Sequence, residues 1–112
     1  MDPREGRSFR QSSLFGGQGE VIIRDLLEGA TALPFEAALA CELEPNGSVG
    51  PHRQAECHEL IIVLSGEGTA TIDDHVHPLR SATTLCLTHG AILALHNTST
   101  TEPLRYLLIK AR

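Results

Sequence analysis

The sequence has no tryptophan, and its aromatic residues are only Phe9, Phe15, Phe35 and Tyr106 among 112. Stacking platforms for sugars, bases and quaternary amines are built from aromatic faces, so such a platform is not expected. Positive charge is scarce as well. Nine basic residues, of which Lys110 is the single lysine, stand against fourteen acidic ones, giving −5 with no basic run. That balance disfavours a nucleic-acid or anionic-membrane partner, both of which need clustered Lys and Arg. No apolar run approaches the ~20 residues that span a bilayer. Residues Met1 to Ser13 are polar and charged, unlike a signal peptide. The three cysteines, Cys41, Cys57 and Cys86, form no C-x-x-C pair and leave one over. They read as reduced, mostly buried thiols, which makes a cytoplasmic location the expectation.

What is present fits one globular domain. Hydrophobic residues make up 41% and charged residues 21% of a chain with room for a single core. Short β-type segments alternate with turn signals, and no stretch reads as a long helix. Residues 1–19 are expected as an N-terminal arm carrying the Gly16-Gly17 turn, and residues 20–112 as the folded domain. Strands are expected over Glu20–Leu27, Phe35–Glu44, His58–Leu64, Thr69–Asp73, Val76–Leu79, Thr84–Thr88, Ala91–His96 and Pro103–Lys110. Strands at this spacing with no helices between them imply an antiparallel sandwich or barrel.

All six histidines fall between residues 52 and 96. In an extended segment His52 and Gln54 share one face. In the next strand Glu59, Ile61 and Val63 share another. A carboxylate in line with buried aliphatics needs a cation, an arginine or a proton of its own. Other constellations carry less. His75 and His77 beside Asp73 and Asp74 have ligand-like spacing but read as a solvated hairpin corner. Cys57 and His58 are strand neighbours, so they point to opposite faces and do not form an activated pair. His96 faces away from Leu93 and Leu95. His89 is expected on a loop at the mouth of the fold.

The stretch from Asn46 to Gly68 resembles the first motif of the cupin superfamily: His-x-His, a Glu, then a Gly after six intervening residues. Here His52, Gln54, Glu59 and Gly66 take those positions, with Gly47 one residue away from the expected opening glycine. The second motif aligns on Gly90 and Asn97. It puts Ala82 and Thr88 where the family has Gly and Pro, and Leu93 where it has a metal-binding His. The resemblance implies an all-β, cupin-type antiparallel barrel, jelly-roll-like (a double-stranded β-helix), of two packed sheets. It also carries over a ligand-binding set of His52, Gln54, Glu59 and Leu93 pointing into the lumen.

If a metal is held, the resemblance assigns it to His52, Gln54 and Glu59. Leucine offers no donor, and the remaining imidazole, amide oxygen and carboxylate fall short of two His and one carboxylate. The expectation is therefore a barrel that binds a small molecule in its lumen without a tightly bound metal. The alternative is a metal-dependent enzyme of dioxygenase or isomerase type using zinc, nickel, iron or manganese. A homodimer is expected too, because Leu60, Ile62 and Leu64 form an apolar stripe on the outward face of their strand.

Overall fold

The computed structural model describes residues 8–28, 34–53 and 57–112. In chain order the strands are β1 (Ser8–Ser12), β2 (Glu20–Asp25), β3 (Phe35–Leu43), β4 (Ser48–Arg53), β5 (His58–Ser65), β6 (Gly68–Ile72), β7 (His75–Leu79), β8 (Thr84–Leu87), β9 (Ile92–Asn97) and β10 (Leu104–Ala111). They form a six-stranded sheet, β1-β2-β3-β10-β5-β8, and a four-stranded sheet, β4-β9-β6-β7. The described pairings are antiparallel. This is the two-sheet cupin-type barrel the sequence led us to expect.

Period-two patterning builds the core. On β5, Glu59, Ile61 and Val63 are buried while Leu60 and Ile62 are half-exposed and Leu64 is exposed. Leu43, Leu93, Leu104 and Val21 are the other large apolar side chains among the most deeply buried. The outer face of the larger sheet continues the apolar stripe sideways. Leu60 pairs with Cys86 and Ile109, and Ile62 with Leu107.

Turn chemistry fixes the register. Asp73 and Asp74 both have positive φ (47° and 69°), so Ile72 and His75 pair directly across a two-residue hairpin. Aspartate tolerates that conformation, and Asp73 Oδ1 also accepts the Ile92 N–H at 2.9 Å. At Gly66 φ is +97°, and a Cβ there would press on the Pro103 carbonyl oxygen.

Two segments depart from the sequence reading. Within the span expected as an arm, Ser8–Ser12 forms β1 on the edge of the larger sheet, paired with β2 from Ser8↔Arg24 to Ser12↔Glu20. All five residues are exposed, so no burial alternation marks the strand in the sequence. Strand β4 was not among the expected strands because Gly50 and Pro51 lie inside it. The β4–β9 ladder shifts register between Val49 and His52. An irregular step of this kind is where a strand tolerates proline.

Candidate binding site in the lumen

The β4 irregularity decides where His52 points. Val49 and His52 are three apart and would face opposite ways on a regular strand. Across the Gly50–Pro51 step both line the same cavity, which lies between the two sheets and has a volume of about 90 Å³. Glu59 enters it from β5, Cys41 from β3, and Tyr106, Leu108 and Lys110 from β10. Leu93, 1% exposed, stands directly opposite His52 in the β4–β9 pairing. Thus His52, Glu59 and Leu93 share one cavity. Gln54 lies outside the described residues.

The tautomer of His52 follows from its contact. Its Nδ1 lies 3.0 Å from the Gly50 carbonyl oxygen, which can only accept, so Nδ1 carries the proton. Nε2 keeps its lone pair. Burial lowers the imidazole pKa below its ordinary value, outweighing the upward pull of the Gly50 hydrogen bond. The ring is also stacked on Phe15, with centroids 4.0 Å apart and planes 11° from parallel.

Glu59 is 3% exposed, and neither carboxyl oxygen has a hydrogen-bond partner among the described residues. Burial pushes its pKa from 4.5 up to about 7, against the opposing influence of Lys110, its cross-strand neighbour. Cys41 and Tyr106 face each other across β3 and β10 and share a hydrogen bond. Burial first, with that pairing second for the tyrosine, raises both groups: the thiol to about 12, the phenol well above its ordinary value. Both stay protonated at neutral pH, so Cys41 is a polar wall, not a nucleophile.

The raised Glu59 pKa has a sign that can be checked. Its proton is held more tightly in the folded chain, so the stabilising effect is complete below pH 4.5. It is lost as pH climbs from there to about 7. Over that window wild type should lose about 2–3 kcal/mol relative to Glu59→Gln. Urea denaturation of both proteins at several pH values measures this. A cation bound at Glu59 would reverse the trend.

The remaining candidates lie elsewhere. His89 is not on the lumen: its N–H donates to His58 Nδ1 at 3.3 Å, and the two rings meet edge to face. His96 is exposed on the outer face of the smaller sheet, and His75 and His77 lie on the edge strand β7. Of the three thiols only Cys41 is buried, while Cys57 is half-buried and Cys86 exposed. The expectation of mostly buried cysteines is corrected there, because Cys86 sits on the outward face opposite Leu60.

Sequence reasoning missed Phe15, Cys41, Tyr106 and Lys110 as lumen residues. The chain's single lysine, two positions after Leu108 on β10, was the available signal. Phe15 had none, since it reaches the cavity from a turn.

A sequence profile of the cupin domain matches residues 39–110. No curated protein matches the chain. Among solved structures, a predicted oxalate decarboxylase from Thermotoga maritima superposes with a TM-score of 0.89 at 25% identity. The match covers 98% of this chain and 96% of that one. A cupin 2 conserved barrel domain protein from Salinispora arenicola gives 0.71 at 19% identity, covering 82% and 76%. A sugar phosphate isomerase of the cupin superfamily from Silicibacter pomeroyi gives 0.69 at 18% identity, covering 82% and 59%. The last two likenesses carry the fold alone.

Proposed function

Because the chain belongs to the cupin family, whose fold hosts many chemistries, we propose that it binds a small polar organic molecule in its lumen without holding a metal tightly. The observation that carries this reading is Glu59. A buried carboxyl whose two oxygens have no described partner is costly unless something in the cavity answers it. A ligand hydroxyl or amide would do so, with His52 Nε2 and the Lys110 ammonium as further anchors and the aliphatic walls excluding water.

A tightly held ion fits the described residues poorly. In the cavity they supply one imidazole, one carboxylate and the protonated Cys41 thiol, and no group of three His, Cys, Asp or Glu able to hold a metal occurs among the described residues. The second reading is a metal-dependent enzyme. It is favoured by the likeness to the Thermotoga protein, which reaches 25% identity over nearly the whole chain.

Metal analysis on protein purified without a His tag separates the two. Substoichiometric metal, with a melting temperature indifferent to a chelator, is the expected result. One firmly held ion per chain would overturn it. Light scattering on the same preparation tests the homodimer, which we base on the half-exposed outer face around Leu60, Ile62, Leu107 and Ile109.

A further inference from the structure

We propose that Phe15 is the wall that closes the lumen over His52 and controls access to it, an inference that rests on the lumen being the binding site. Leu14 and Phe15 belong to no strand, yet both line the cavity. One face of the Phe15 ring lies flat on the His52 imidazole, while the residue as a whole is still 54% exposed. Among the described residues, the exposed Phe15 ring thus stands between solvent and one face of the His52 imidazole.

The backbone holds that ring in place at a conformational disadvantage. Phe15 and Ser13 both have φ of 52°, the left-handed region that bulky side chains rarely adopt. An exposed aromatic in that conformation gains little from ordinary packing, and strain of this kind persists only where the surroundings over-determine it. The surroundings do so here. Ser13 N–H donates to the Gly19 carbonyl and Gly17 N–H to the Leu14 carbonyl, each at 3.0 Å. Ser48 N–H donates to the Gln18 carbonyl at 2.7 Å, and Gln18 N–H to Ser48 Oγ at 2.9 Å. Gly50 lets the Phe15 carbonyl come so close that any Cβ there would collide with it. The Gly16-Gly17 turn therefore docks on β4 beside His52 and sets the ring over the mouth. A cavity of about 90 Å³ behind it suits a ligand of a few heavy atoms; anything larger must move the ring aside.

The chain supplies its own reporter. With no tryptophan and one tyrosine, its intrinsic emission comes from Tyr106, which is 3% exposed on the lumen wall. Acrylamide quenching of that emission measures access without knowing the ligand. Quenching is recorded on wild type, Phe15→Ala, Phe15→Leu and Gly50→Ala, under conditions where urea curves show each variant fully folded. Phe15→Ala should raise the quenching constant severalfold. Gly50→Ala should do the same with the ring retained, by pushing the corner off β4. Phe15→Leu should keep quenching low while the His52 ring protons lose an upfield ring-current shift in the proton NMR spectrum. A role in stability alone would lower the urea midpoint and leave quenching unmoved. Unchanged quenching in both Phe15→Ala and Gly50→Ala overturns the wall, whatever the lumen binds. Raised quenching in a protein that carries one firmly held ion per chain supports the wall and overturns the metal-free reading instead.

Discussion

Replacing Asn97 with alanine should remove about 3–5 kcal/mol of folding free energy, a large part of the ~5–15 kcal/mol that holds a domain together. Asn97 is 0% exposed at the end of β9. Its Nδ2 group reaches the carbonyl oxygens of Leu43 and Glu44, each at 3.1 Å, and of Glu102 at 2.9 Å. Its Oδ1 accepts the Ser99 N–H at 3.0 Å. One side chain thus ties the end of β3 to the loop between β9 and β10. Alanine leaves these backbone groups short of a partner in a place water does not readily enter, and each such loss costs about 1–3 kcal/mol. Aspartate separates this account from one of shape. It nearly matches asparagine in size but, when ionised, it has no hydrogen to donate and turns a negative charge toward three carbonyl oxygens. Asn97→Asp should therefore be no more stable than Asn97→Ala at neutral pH. Urea midpoints at constant m-value measure both. A loss below about 1 kcal/mol for alanine, or an aspartate variant as stable as wild type, contradicts the account.

Asn97 also illustrates what the sequence made legible. It could be picked out as a matching position of the second motif, but nothing in the sequence disclosed that its work is structural, because two of its partners, the Leu43 and Glu44 carbonyls, lie more than fifty residues back in the chain. The inward set of β5 was readable, since strict alternation puts Glu59, Ile61 and Val63 on one side. Counting along the second motif puts Leu93 at the family's fourth ligand position, and in the structure Leu93 pairs with His52 across β4 and β9. Legibility failed where a local irregularity or a crossing of the chain decides the outcome. The Gly50–Pro51 step hides β4 from a propensity reading, although it turns His52 inward. Phe15 arrives at the same cavity from a turn that, read locally, is only a turn. Cys41 and Tyr106 each fit their own strand's alternation, but their meeting depends on β3 and β10 pairing across more than sixty intervening residues.

The second large effect is a gain of metal binding. Leu93 is buried and directly across from His52, and the alignment of the second motif puts it at the family's metal-binding histidine. Leu93→His should remove apolar burial and bury an imidazole instead. Without metal the variant should be less stable than wild type by about 3–4 kcal/mol. It should also bring a second nitrogen donor beside His52 and Glu59, the two-imidazole, one-carboxylate set suited to zinc, nickel or iron. Metal that binds only the folded form stabilises it as RT ln(1 + [L]/Kd), about 2.7 kcal/mol at a hundredfold excess over Kd. Zinc or nickel should therefore raise the melting temperature of Leu93→His and leave wild type unmoved. Adding His52→Ala to the variant should abolish the response, which separates lumen binding from ions caught by the exposed histidines His75 and His96. The same metal should reverse the pH trend at Glu59, because a cation at that carboxylate favours its ionised form. Equal responses from wild type and variant would mean that Leu93 does not occupy the fourth ligand position. A response that survives His52→Ala would mean that the two residues, though paired across the strands, do not converge on one ion.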